Sequence, residues 1–436
     1  MLTPSFRMNV SFVSTNYGPP RHGRVDWKAV HCVVCLLILV EGLATADDRP
    51  KEEEGYADSP AADQRNTGTV ADLDLLRKPQ VLWKYKAAGS NFADIVAFGG
   101  TAIALDRSGA IHALDSMTGR LLWKSKAGYE FSFGFGLALT CDPEFDVLLV
   151  GCDTGLFAVD RKTGKTIWRT VMPKGVAGPT CTKDTVFSGG ADGNVYACDL
   201  RTGKVKWKHD YVSDRPKDPE GFDGERARFP GRAARPMHAA TDGETVFLSV
   251  FDQCRTLAID AKTGKRRWAF PTKGWMYGRP AVGERGVFVG SQDDHFYSIG
   301  KGMGNQFWKV KTKSRNEAAA AVAKNLVIFG SCDGNVYAVN KDMGNVVWQF
   351  ETEKGGRAGA PIYSQPLISH ETVYLAAMRG KIYALELKTG KLKWKFEPLA
   401  DSEINSNLQV DAGRLFLTTR RDDGKGESAV MAIGSR

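Results

Sequence analysis

Three arginines stand at matching places along the chain: Arg235 before Pro236, Arg279 before Pro280, and Arg315 at a similar point further on. Guanidinium groups converging on one mouth would bind a carboxylate, a phosphate or an acidic peptide, because each presents a rigid fork of donors to paired oxygens. Near them in sequence or at equivalent positions lie His238, Tyr277, Glu317, Tyr363, Gln365, Asn405 and Asn407, side chains suited to holding a ligand or a partner surface. The competing expectation is that the arginines pair with Glu317, Asp94 and other loop carboxylates. There is no Gly-x-Ser-x-Gly, His-Glu-x-x-His or phosphate loop, so no catalytic residue is assigned. His112, His238, His295 and His370 are scattered, and no Cys-x-x-Cys or Cys-His cluster follows residue 46, so no metal site is expected.

What must position these residues is a repeat. The unit Ala113-Leu-Asp115-Ser-Met-Thr118-Gly119-Arg-Leu-Leu-Trp123 recurs with Asp160, Gly164 and Trp168, with Asp199, Gly203 and Trp207, and with Asp260, Gly264 and Trp268. Looser copies carry Gly304 and Trp308, Gly344 and Trp348, and Gly390 and Trp394, with Trp always four residues after Gly. Each copy reads as a hairpin in which Asp or Asn accepts hydrogen bonds from turn amides and Gly supplies a positive φ. The Trp gives a large apolar surface for the neighbouring unit.

The tryptophans at 83, 123, 168, 207, 268, 308, 348 and 394 step mostly by 39 to 46 residues, the period of a four-stranded propeller blade. The expected fold is all-β: an eight-bladed propeller of antiparallel four-stranded blades. One blade reads in full, with strands at 279–282, 286–289, 295–299 and 306–310. Residues 428–433 form a third strand with no Trp strand after it, and residues 81–86, which carry Trp83, supply the missing one. That pairing would close the ring and leave no open edge. In such a ring the loops leading into the inner strands crowd round the axis, here 91–94, 131–135, 235–238, 277–280, 315–317, 363–366 and 405–407.

Residues 1–46 resemble a secretory signal peptide, with Arg7, Arg21, Arg24 and Lys28 ahead of an apolar run of about 12 residues, too short to span a bilayer. Cleavage is expected after Ala46, giving a periplasmic or extracellular, non-membrane-spanning protein. Residues 47–80 read as a disordered acidic linker, and 81–436 as the propeller. The long step between Trp207 and Trp268 reflects an insertion at 209–235. Among the later cysteines, Cys141 and Cys181 sit at matching places and form the best disulfide candidate, with buried thiols the alternative. Net charge is +9; residues 1–46 hold four Lys or Arg against two acids, so their removal leaves +7. The basic residues are spread through the Thr-Gly-Lys turns, which argues against a nucleic-acid partner.

The Ala-x-Asp-x-x-Thr-Gly-x-x-x-Trp unit over 81–436 resembles the repeat of the pyrroloquinoline-quinone-like (PQQ-like) propellers, a family holding both quinoprotein alcohol dehydrogenases and the noncatalytic BamB-type propeller. For an enzyme, the resemblance implies a quinone and calcium in the axial funnel on Glu, Asn and Asp ligands, for which Asp94, Asn316, Glu317, Asn405 and Asn407 are the available oxygen donors. The chain lacks the adjacent cysteine pair common in those enzymes and their longer insertions. The expectation is therefore an exported, monomeric, noncatalytic scaffold without cofactor, docking a protein partner in the cell envelope. The alternatives are a PQQ-dependent dehydrogenase and an extracellular sensor for a small anion. No lipobox-like Leu-x-Gly-Cys precedes the propeller, a departure from BamB-type anchoring.

Overall fold

The computed structural model describes residues 78–87, 91–126, 136–139, 145–214, 236–353, 361–400, 402–404, 406–420 and 428–435. The expected signal peptide with its cleavage at Ala46, most of the acidic linker and of the insertion, Arg235, Asn405 and Cys141 lie outside the described residues.

The strands form eight antiparallel sheets. In chain order each is made of an inner strand A, then B and C, and an outer strand D. Blade 1 comprises Phe92–Phe98, Thr101–Asp106, Ala110–Asp115 and Leu121–Lys126. Blade 2 comprises Gly136–Leu139, Val147–Cys152, Gly155–Asp160 and Thr166–Val171; blade 3, Thr180–Cys181, Thr185–Gly189, Asn194–Asp199 and Val205–Asp210. Blade 4 comprises Pro236–Thr241, Thr245–Val250, Arg255–Asp260 and Arg266–Pro271; blade 5, Ala281–Val282, Gly286–Gly290, His295–Gly300 and Gln306–Lys311. Blade 6 comprises Ala321–Val322, Leu326–Gly330, Asn335–Asn340 and Val346–Glu351; blade 7, Leu367–Ser369, Thr372–Ala377, Lys381–Glu386 and Leu392–Phe396. Blade 8 is composite. Arg414–Arg420 and Ala429–Gly434 are joined on the outside by Gln80–Lys86 from the start of the described chain, and on the inside by two short strands, Glu403–Ile404 and Gln409–Asp411. The closing strand runs antiparallel to Ala429–Gly434, with Trp83 opposite Ala432. The eight-bladed fold is thus closed as its sequence implies.

Two details differ from the sequence reading. The inner strand of blade 5 is shorter than 279–282: only Ala281 and Val282 pair with strand B, as only Ala321 and Val322 do in blade 6. Blade 8 carries a fifth strand because its inner edge is split in two.

The C-to-D turns show why the repeat has its sequence. The carboxylate of Asp115 accepts from both the amide and the hydroxyl of Thr118, and Asp160, Asp199 and Asp260 repeat this on Thr163, Thr202 and Thr263. Those bonds stabilise the ionised form and, with the Arg267 bond as the larger cause at Asp260, hold the four aspartate pKa values below the usual carboxylate range. Each hairpin then bulges at the residue after its alanine, as between Ser298 and Ile299, which turns the residue before Trp to the same face as Trp. The core lies between blades rather than inside one: Phe296 of blade 5 stacks on Phe329 of blade 6 with ring centres 3.9 Å apart. At the closure, Phe92 and Ile95 of blade 1 pack with Phe416 and Val430 of blade 8 and with Leu82 and Trp83. No helix among the described residues is long and apolar enough to cross a membrane.

Candidate functional site

Antiparallel order puts the D-to-A loops and the B-to-C turns on one face of the ring, so the candidate residues share a rim with the turns beside them. Burial governs His238 there. It lowers the imidazole pKa to about 4, with the Arg279 guanidinium a second cause, so the ring is neutral near neutral pH. Gly178 of the neighbouring loop makes room for that ring, since a Cβ there would overlap it. Arg279 itself donates from Nε to the Ala239 carbonyl at 2.6 Å.

Tyr277 joins an aromatic group that sequence reasoning missed. Phe251, in a short 3-10 turn at Phe251–Gln253, meets Tyr277 with ring centres 4.6 Å apart and Trp275 at 4.8 Å. Trp275 did carry a signal, being the one propeller tryptophan outside the turn register.

Arg315 and Glu317 pair at 3.0 Å, and Gln292 of blade 5 donates to the same carboxylate. Arg315 also bonds the Cys332 thiol and the Tyr363 hydroxyl, and these contacts with the Glu317 charge raise its already high pKa. Burial, reinforced by Glu317, pushes the Cys332 thiol up to about 11. Burial also raises the Tyr363 hydroxyl above its ordinary value, with the thiol a second cause. Even so, the Arg315 side chain is 51% exposed and Tyr363 is 38% exposed, so both present surface to a partner while held from behind.

Gln365 and Asn407 tie blades together. The Asn407 side-chain oxygen accepts from the Gln365 amide at 2.9 Å, and Gln365 Nε2 donates to the Ala320 carbonyl at 2.8 Å. The groups on blades 4 to 7 are also linked. Gln292 donates its amide hydrogen to the Trp275 carbonyl and its side-chain amide to Glu317, which holds Arg315, which reaches Tyr363. Cys181 is buried in blade 3.

Of the oxygen donors named for a quinone and calcium, Asn405 lies outside the described residues and three others are committed elsewhere. Glu317 is bonded to Arg315 and Gln292, the Asn407 oxygen to Gln365, and Asp94 to the Ile95 amide. Asn316 is buried with its amide on Thr312 and its Oδ1 without a partner. These residues do not offer one open oxygen set, and no group of three or more His, Cys, Asp or Glu is placed to hold a metal among the described residues.

The fold and its rim define a closed eight-bladed propeller of PQQ-like repeats. The chain belongs to the family described as outer membrane protein assembly factor BamB, whose model matches residues 107–217 and 226–433. No curated protein matches it. Among solved structures it is similar to BamB from Moraxella catarrhalis, at 19% identity over 81% of this chain and 97% of that one, with a TM-score of 0.60. It is similar to a europium-containing methanol dehydrogenase at 13% identity over 85% and 96%, with a TM-score of 0.66. It also resembles the computationally designed Ika8 protein at 18% identity over 81% and 99%, with a TM-score of 0.64. At these identities the likeness is one of fold, shared by a BamB and a dehydrogenase alike.

Proposed function

We propose that this chain is an exported, noncatalytic scaffold that docks a protein partner in the cell envelope through the rim of blades 4 to 7. The observation that carries this reading is the bonded run from Trp275 through Gln292, Glu317 and Arg315 to Tyr363. Trp, Tyr and Arg are the residues that dominate protein interfaces, and fixing them beforehand lowers the ordering cost of association. Net positive charge favours an acidic partner surface and speeds encounter with it. Family membership and the signal-like leader support a periplasmic or extracellular site of action. The commitment of the Glu317 oxygens to Arg315 and Gln292, and of the Asn407 oxygen to Gln365, favours docking over quinone chemistry.

The test is capture of a partner from envelope extract by the purified chain and by an Arg315→Ala/Tyr363→Ala variant. The expected outcome is at least a tenfold loss of capture, with thermal unfolding shifted by only a few degrees. Undiminished capture by the variant would rule out this rim. A cofactor spectrum on adding pyrroloquinoline quinone and calcium, with alcohol-dependent dye reduction, would overturn the noncatalytic reading.

A further inference from the structure

On the opposite face, a cleft of about 510 Å³ opens between blades 5 and 6. Its origin lies in how blade 5 departs from the repeat. In blades 3, 4 and 7 the residue before the tryptophan is a cation that fills this corner. Lys206 reaches Thr185 Oγ1 at 2.8 Å, Arg267 reaches Thr245 Oγ1 at 2.7 Å and Asp260 at 2.8 Å, and Lys393 reaches Thr372 Oγ1 at 2.6 Å. The corner is set by the first residue of strand B and the last of strand C, paired as Thr185 with Asp199, Thr245 with Asp260 and Thr372 with Glu386. In blade 5 that pair is Gly286 with Gly300, and Phe307 stands where those three blades have a cation; Leu122, Ile167 and Val347 hold the same place in blades 1, 2 and 6, so the glycine pair is what sets blade 5 apart. Two side chains are removed and the third is turned from a polar bridge into an apolar wall.

A second departure points to a ligand. Opposite the tryptophan, the other seven blades carry alanine: Ala113, Ala158, Ala197, Ala258, Ala338, Ala384 and Ala432. Blade 5 carries Ser298. Ser298 is fully buried, lines the cleft and has no hydrogen-bond partner for its hydroxyl among the described residues. A buried hydroxyl left unpaired costs stability, so its placement where alanine serves elsewhere calls for a bonding partner from outside the protein. Phe288 and Phe307 give the cleft aromatic surfaces, while Arg285, Lys324 and Lys341 stand at its mouth against Glu284 and Asp342. Neither Arg285 nor Lys341 forms an ion pair among the described residues.

We infer that this cleft binds a small anion built on a planar apolar ring, of the hydroxylated aromatic carboxylate class. The ring lies against Phe288 and Phe307, the ring hydroxyl meets Ser298, and the carboxylate meets the cations at the mouth. The volume is of the size that accommodates such molecules, and one polar group set in an apolar pocket is the usual source of orientation. The site is independent of the docking rim, which lies on the other face.

The probe is 4-hydroxybenzoate, titrated into the full chain and followed by calorimetry and by ligand-observed NMR, with acetate as the control for simple anion condensation. Saturable binding of the probe but not of acetate is expected. Ser298→Ala should weaken it roughly fivefold to tenfold, as for one lost hydrogen bond, and Lys341→Ala should weaken it with a reduced salt dependence. Phe307→Ala, which removes one of the two aromatic walls, should weaken binding at least tenfold. Phe307 is 46% exposed, so this change leaves the fold intact, and circular dichroism checks that. No saturable binding by the wild type overturns the proposal. So does equal binding by wild type, Ser298→Ala and Phe307→Ala, or equal binding of acetate.

Discussion

The Cα of Gly344 in blade 6 lies so close over the Trp308 indole of blade 5 that a Cβ there would stand 2.6 Å from the Trp308 Cγ. The same glycine holds φ at +74°, and Trp308 donates its indole N–H to the Lys341 carbonyl at 2.8 Å in the same turn. Turn and indole are therefore halves of one joint between neighbours. Gly344→Ala should cost about 2–4 kcal/mol, combining backbone strain with displacement of the ring. Trp308→Ala should cost about 3–5 kcal/mol. The double variant should cost clearly less than the sum, because once the indole is gone the new methyl meets nothing. Urea unfolding of the three variants decides it, and strict additivity would show that the two residues are not coupled.

Closure uses the same joint with a partner from the far end of the described chain. Trp83 donates to the Ser116 carbonyl at 3.0 Å and packs beneath Gly119, while Tyr85 bonds buried His112 at 3.1 Å. A chain beginning at Ala87 would expose the whole edge of Ala429–Gly434, and unpaired edges seek other strands. That truncation should form oligomers on size exclusion with light scattering and unfold well below the intact chain. A monomeric truncation of unchanged melting temperature would show that the ring does not depend on this strand.

The ring was legible in the sequence because each joint needs two invariant spacings at once: glycine for the turn, and tryptophan four residues on for the next blade. Even the closure followed, since Trp83 lacked a turn and residues 428–433 lacked a tryptophan. The rim was legible only in part. Loop positions named Arg315, Glu317 and Tyr363, but the partners that fix them, Gln292 and Cys332, come from turns between strands B and C whose sequence reads only as Gly-rich connection. The contact between Phe251 and Tyr277 crosses more than twenty residues and leaves no periodic trace. The blade 5 cleft was not read from the sequence: Gly286, Ser298 and Gly300 passed as members of a looser repeat, because the cation bridges of blades 3, 4 and 7 that they lack are seen only in three dimensions.

His238 makes stability fall on acidification. Its folded pKa of about 4 lies below the ordinary histidine value of about 6.5, so between those pH values the unfolded chain binds the extra proton. The contribution is fully present above pH ~6.5 and is lost as pH falls towards 4. A loss of about 1–3 kcal/mol from this group is expected, tempered by its partial exposure. His238→Gln, which cannot titrate, should flatten that part of the curve in urea unfolding at pH 7.0, 5.5 and 4.5. Parallel curves for wild type and variant would assign the acid loss to other groups.

The Cys332 thiol should resist alkylation in the folded protein. Burial and the Glu317 carboxylate both favour its neutral form, pushing the pKa up to about 11, while the Arg315 and Tyr363 bonds act the other way. At pH 8 only about one thiol in a thousand is then ionised, against roughly a quarter for an ordinary cysteine, and the thiolate is the nucleophile. Removing the acid should ease the shift without undoing the effect of burial: in Glu317→Gln the repulsion is gone while Arg315 keeps its bond to sulfur. Iodoacetamide labelling of Cys332, mapped by peptide mass, should therefore run about tenfold faster in Glu317→Gln than in the wild type under native conditions. Both proteins should label alike in denaturant. Equal native rates would mean that access alone guards the thiol, and that the Glu317 charge does not act on it across the rim.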